Sequence, residues 1–171
     1  MDRVIRVIAL LCVAVLVQRA LHWYPLLPDP FPIHFNGAGE ADGWATKSPL
    51  AWALIPAVGM LLALGLWALA RYTRIVAVRS PGLFNMPDKT RFLALNEQGR
   101  KAAVAPMASY LHTVSLLVMV LFLYIVEGIG RVATGMSATH LAWPVLVFVG
   151  GALGGLPFLL RATRKAIDQQ G

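Results

Sequence analysis

Charge is what this chain has least of. Only 13% of its 171 residues are Asp, Glu, Lys or Arg, about half of what a water-soluble domain carries. That deficit excludes a conventional soluble enzyme and points to lipid as the main solvent. Cysteine is almost missing as well. Cys12 stands alone, which excludes an intrachain disulfide and any thiolate metal cluster. Acidic residues number 8 against 15 basic ones. The resulting charge of +7 is not gathered on one polar domain, so it argues against nucleic-acid binding; the basic residues sit between apolar runs.

Those runs are long. A bilayer core is spanned by about 20 apolar residues in a helix, and no other open structure satisfies its backbone in hydrocarbon. Four segments qualify: residues 4–24, 50–70, 102–126 and 141–160. The first has a short apolar centre behind the basic start "MDRVIR", as a signal peptide would. "VQRALHW" lacks the small residues of a cleavage site, so a retained helix is expected, with Arg6 and Arg19 reaching to the two interfaces. The expected fold is an all-α integral membrane protein. It is a single domain of four transmembrane helices, joined by an outer loop at 25–49 and an inner loop at 71–101.

Orientation follows from the basic residues. With the N-terminus inside, Arg3, Arg6, Arg71, Arg74, Arg79, Lys89, Arg91, Arg100, Lys101, Arg161, Arg164 and Lys165 are all internal. Only Arg19, Lys47 and Arg131 face out. The positive-inside rule then places both termini in the cytoplasm. Trp23, Trp44, Trp52 and Trp143 fall where an outer aromatic belt is expected.

Four features inside this frame have two readings each. Gly150 and Gly154 in "GGALGG", like Gly151 and Gly155, share a helix face, and small residues at that spacing let another helix approach closely. The partner is a neighbouring helix of the same bundle or a second copy of the chain. His112 is expected as a hydrogen-bonded bundle residue, with a relay or ligand role as the sharper alternative. Glu127 and Arg131 stand four apart in the favourable order for an ion pair, near enough to the outer loops to share a site with His140. The inner segment "PDKTRFLAL" starts with Pro87, which suits the first turn of a helix. Either it lies on the inner leaflet with Phe92, Leu93 and Leu95 dipping in, or it is a basic loop.

The outer loop holds the unusual chemistry. "PIHFNGAGEADGW" concentrates polar groups between greasy runs. Alternation over Ile33–Asn36 predicts a strand. Gly37-Ala38-Gly39 makes a three-residue turn with Gly39 left-handed, and Glu40–Gly43 returns. In that register Asn36 opposes Glu40, Phe35 opposes Ala41 and His34 opposes Asp42. One face then carries His34, Asn36, Glu40 and Asp42, and the other carries Ile33, Phe35 and Ala41. Trp44 anchors the end of the hairpin.

"LPDPFPIHFNGAGEADGWATKSPL", with Leu27, Pro28, Pro32, His34, Phe35, Asn36, Gly39, Asp42, Gly43, Trp44 and Lys47 at the matching places, resembles the signature of a bacterial membrane family, domain of unknown function 1648. Phe31 departs from its aliphatic position. "NMPDKTRFLAL" is similar to that family's inner-loop segment. The module also occurs at the front of the immunity protein of the sporulation-delaying toxin system, and the resemblance implies a bacterial membrane protein, expected in the inner membrane, without supplying an activity.

The function expected first is a non-enzymatic module, of immunity or sensing type, whose outer loop binds a ligand, peptide or partner protein. The candidate binding residues are His34, Asn36, Glu40, Asp42, Trp44 and Lys47, with Pro28, Pro32, Gly39 and Gly43 as structural positions. No cofactor is called for. Two alternatives stand beside it. One is a metal-dependent membrane enzyme using His34, Glu40 and Asp42 with His22, His140 or Glu127, although no H-E-x-x-H is present. The other is an accessory subunit for transport or assembly. For the loop itself, a folded cap without a site is the plainer reading.

Overall fold

The structure, a computed structural model, describes residues 2–136 and 142–170. Among the described residues there are five α-helices and one two-stranded sheet. They run α1 (Asp2–Trp23), β1 (Phe31–Phe35), β2 (Ala41–Ala45), α2 (Pro49–Arg79), α3 (Lys89–Ala94), α4 (Glu97–Ala133) and α5 (Ala142–Asp168). Four segments are long and apolar enough to cross a membrane: Val7–Leu26, Pro49–Arg79, Glu97–Ala133 and Val145–Asp168.

These helices outrun the apolar segments read from the sequence. α2 continues past Ala70 to Arg79, and α4 already begins at Glu97. A count of apolar residues stops at the first charges. The backbone does not, because Arg, Lys and Glu are good helix formers. Both helices instead start where a side chain caps them. Ser48 Oγ accepts from Ala51 N at 3.1 Å, with Pro49 in the first turn. Asn96 Oδ1 accepts from Gly99 N at 2.8 Å. Both are N-caps, which satisfy amides the helix cannot. What was expected as a loop over 71–101 therefore shrinks to a short connection containing α3.

The chain forms two compact units. The first comprises Met1–Ala63 and Leu116–Val149. Its core holds Leu16, Trp23, Phe31, Trp52, Val126 and Ile129. Trp23 and Trp52 are each only 3% exposed, so neither belongs to a lipid-facing belt. A tryptophan near a helix end suits an interface or a core equally by composition. Here the indole nitrogens decide, since Trp52 Nε1 donates to the Ala20 carbonyl at 2.7 Å and Trp23 Nε1 donates to Glu127 at 2.9 Å. Gly130 makes room for Trp23: a Cβ there would lie 2.2 Å from the indole. Trp44 is exposed.

The second unit comprises Leu64–Ser115 and Gly150–Gly171. Ala77, Met86, Phe92, Leu95, Val104 and Ile167 are buried together in it. α3 is capped by Asp88, whose carboxylate accepts from Arg91 N at 3.1 Å. Pro87 thus precedes the cap rather than opening the helix. Phe92 and Leu95 pack into protein, not into a leaflet, while Leu93 is the exposed one of the three. The amphipathic pattern was right but its greasy face found Ile167 and Val104 instead of lipid. Arg91 Nη1 also pairs with Asp168 Oδ1 at 2.7 Å, tying α3 to α5. His112 is buried against Trp67, ring centroids 4.5 Å apart. Of the α5 glycines, Gly155 makes the close approach, with its absent Cβ standing 2.7 Å from Tyr110; the Tyr110 hydroxyl donates to the Ala152 carbonyl. At Gly150 and Gly154 a Cβ would meet nothing.

Candidate functional site

The hairpin forms where the sequence pattern puts it, with its strands displaced. β1 starts two residues earlier than expected and β2 ends two later. Phe31 and Pro32 are buried at its base, and Phe31 meets Trp52 edge-on at 5.8 Å between centroids. The Phe31–Trp52 contact fixes the base of the hairpin to α2. The Asp29–Pro30 peptide just before it is cis.

The turn is built by one asparagine. Asn36 Oδ1 accepts from Ala38 N at 2.9 Å and Glu40 N at 3.0 Å. Asn36 N donates to the Glu40 carbonyl, and Gly39 N to the Asn36 carbonyl, both at 2.9 Å. Gly39 has φ +84°, the left-handed conformation only glycine adopts freely. Asn36 Nδ2 then reaches Glu40 Oε2 at 3.0 Å. Phe35 opposes Ala41, as the alternation predicts.

Beyond that pair the register shifts. His34 is paired with Gly43, not Asp42, and the ladder is irregular on both sides of His34. A bulge opposes an extra residue to one partner and bends the strand. One correction follows from it: Ile33 does not share the half-buried face of Phe35 but is 47% exposed. Gly43, expected as a structural position, does not have a positive φ, since among the described glycines only Gly39 and Gly135 do. Its hydrogen faces His34 at a distance where a Cβ would come within 2.8 Å of the His34 Cβ. Close strand approach, rather than backbone conformation, calls for glycine there.

The side chains still meet. His34 Nδ1 and Asp42 Oδ1 are 2.5 Å apart, with the two side chains 70% and 45% exposed. With the Nδ1 proton directed at Asp42, Nε2 is left without a partner among the described residues. A carboxylate that holds one ring nitrogen sets the tautomer and aim of the other. Glu40 and Trp44 stand exposed beside this pair.

Lys47 has a different role from the others. Its Nζ donates to the carbonyls of Leu27 at 2.6 Å and Pro25 at 3.3 Å, and lies 5.5 Å from the Tyr24 ring centroid. Its backbone N donates to Asp29 Oδ1 at 2.8 Å. Lys47 and Asp29 thus close the base of the loop across 18 residues. Of six candidate binding residues, Lys47 spends its amino group and Asn36 its side-chain oxygen on the loop's own backbone, while Asn36 Nδ2 bonds the Glu40 carboxylate. His34, Glu40, Asp42 and Trp44 are exposed.

A second polar cluster was only half legible. Glu127 Oε1 accepts from Arg131 Nε at 2.9 Å, the expected pair. Its Oε2 accepts from Arg19 Nε at 2.8 Å and from Trp23 Nε1 at 2.9 Å. Arg19 therefore does not reach for an interface. Its guanidinium is held by the carboxylate and lies 5.4 Å from the Trp23 ring centroid. The cluster joins α1 to α4. The signal that could have found it was present: an arginine inside one apolar run requires an acid from another. His140 lies outside the described residues, and His22 stacks edge-on against Trp23 at 5.1 Å. Among the described residues no group of three or more His, Cys, Asp or Glu is placed to hold a metal ion.

With that geometry in hand, comparison with known families gives one match: a domain of unknown function, DUF1648, over residues 7–60. The match takes in most of α1, the whole hairpin and the first part of α2, and ends before the segment Asn85–Leu95. No curated protein and no solved structure matches the chain.

Proposed function

We propose that this chain, which belongs to the DUF1648 family through residues 7–60, is a non-enzymatic membrane module that binds a peptide or partner protein with the tip of its hairpin. Immunity to a toxin and sensing are the special cases of that role. The observation that carries the proposal is the division of labour within the loop. Lys47, Asp29 and Asn36 hold the backbone through side-chain bonds, and His34, Asp42 and Trp44 are exposed. A cap that served folding alone would have no use for an ionisable pair so largely exposed, because such pairs contribute only about 0–1 kcal/mol. A rigid frame with polar groups and an exposed indole is what recognition uses, since ordering the site beforehand lowers the cost of binding. His34, Asp42, Glu40 and Trp44 make the contact in this reading; Asn36, Lys47, Pro28, Pro32, Gly39 and Gly43 shape it.

The hairpin lies outside the bacterial inner membrane and both termini lie inside. The support is the division of basic residues, twelve on one side and three on the other, read by the positive-inside rule.

The test places a photo-crosslinking residue at Ala38, at the exposed tip, in the producing bacterium. Irradiation yields a discrete adduct with the otherwise unaltered chain. His34→Ala and Asp42→Ala abolish the adduct while leaving the protein level unchanged. An adduct that survives both substitutions removes the pair from the site, and absence of any adduct at Ala38, Glu40 and Trp44 in turn rejects the binding reading.

A further inference from the structure

In the second unit, α5 and the segment before α3 enclose a cleft of about 490 Å³, lined by Asn85, Met86, Pro157, Leu160, Arg161 and Arg164 among others. We propose that this cleft binds the phosphate headgroup of an anionic lipid.

The sequence of α5 already grades the surface. Pro157, Leu160, Arg161 and Arg164 are spaced 0, 3, 4 and 7 along the helix, which puts them on one stripe. The stripe passes from apolar to basic toward the helix end. Facing it, Met86 and Pro87 supply apolar wall and Asn85 a polar side chain. The cleft is thus greasy at one end and cationic at the other, which complements the apolar acyl chains and the anionic phosphate of a phospholipid.

The two arginines are available. Neither Arg161 nor Arg164 has an acidic partner among the described residues, and both are exposed. The carboxylates nearest them along the chain segments that line the cleft are already engaged. Asp88 caps α3 through Arg91 N, and Asp168 is paired with Arg91 Nη1. Arginines at a helix C-terminus also complement the helix dipole, but that effect needs no concavity and no facing wall. A paired guanidinium in a cleft is suited to phosphate, whose oxygens match its forked donors. Location supplies the source. The cleft lies on the last part of a helix long and apolar enough to span a membrane, Val145–Asp168. Headgroups are therefore its neighbours, and basic pockets between membrane helices at that level are a recurring headgroup site.

Full-length protein, purified in detergent and stripped of lipid, is titrated with dioleoyl phosphatidylglycerol or dioleoyl phosphatidylcholine and followed by native mass spectrometry. One phosphatidylglycerol is held per chain and phosphatidylcholine does not replace it. Arg161→Gln with Arg164→Gln weakens that binding roughly thirtyfold, from two surface charges near a membrane. Lys89→Gln with Lys165→Gln removes as much charge outside the cleft and leaves the binding in place. A large excess of inorganic phosphate leaves the lipid bound. The proposal is overturned by equal retention of the two lipids, by equal losses in the two charge-matched pairs, or by displacement with inorganic phosphate, which would make free phosphate the ligand. If the Gln pair lowers the melting temperature, Arg161→Lys with Arg164→Lys and, separately, Asn85→Ala carry the comparison. Each retains the fold and weakens phosphatidylglycerol, and undiminished binding in both overturns the assignment.

Discussion

At the scale of single residues, the hairpin separates positions that shape the backbone from positions that face solvent. Gly39→Val forces a β-branched residue to φ +84°, a conformation costing L-residues about 1–2 kcal/mol or more. Gly43→Val sets a side chain against the His34 Cβ, 2.8 Å from the first added carbon. Both substitutions are expected to lower the melting temperature of the purified protein, and a melt equal to wild type for Gly43→Val would contradict the bulged register. His34→Ala and Asp42→Ala behave oppositely. Exposed cross-strand pairs contribute roughly 0.2–1 kcal/mol, so the protein is expected to accumulate normally and, under the proposed function, to lose only its partner contact. The double variant is no worse than either single one if the two side chains act as a unit; additive losses in the crosslinking yield would show two independent contacts.

At the scale of elements, the Glu127 cluster is a polar tie between α1 and α4. Glu127→Gln leaves Arg19 with a neutral partner, and charge-assisted bonds are worth roughly 1.5–3 kcal/mol. The variant is expected to melt earlier, Arg19→Gln by a similar amount, and the pair together by less than the sum. Strict additivity in a thermal melt would mean that the two do not share the interaction. Gly130→Val, which drives a side chain into the Trp23 ring, overpacks the same contact at about 1–3 kcal/mol. This cluster also marks where sequence reading stops. The turn from Asn36 to Glu40 was legible because its bonds span four residues and depend on local chemistry. So were the four long helices, because their cause is composition. The His34–Asp42 contact was legible as a pair of side chains, but its backbone register was not, since a bulge leaves no mark in an alternating pattern. Arg19 and Glu127 are 108 residues apart; the sequence shows two charges in need of partners without showing that they satisfy each other. Trp23 and Trp52 were misassigned for the same reason. What buries them is packing between helices, which no periodicity records.

At the scale of the whole molecule, the distribution of charge makes a prediction about sidedness. In a Cys12→Ser background, a cysteine at Ala38 is expected to react with a membrane-impermeant maleimide in intact cells, and one at Gln98 only after lysis. Both positions are exposed, so reversed labelling would invert the proposed topology. An open small-residue face at Gly150 and Gly154 fits a homodimer through α5. Gly150→Leu with Gly154→Leu would convert a dimer to monomer in cross-linking, and an unchanged oligomer would place the contact elsewhere. The DUF1648 match ends at Met60, so it encloses both ends of the loop that Lys47 and Asp29 close. That closure has a bearing on how the molecule can change. With the base of the loop latched to the carbonyls of Pro25 and Leu27, its tip is insulated from the helices. Lengthening a surface loop costs little, about 0.6 kcal/mol for each doubling. A short epitope inserted between Gly37 and Ala38 should therefore be accepted without harm to folding, and the crown of the hairpin is free to be rewritten for a new partner while the latch and the membrane helices stay as they are.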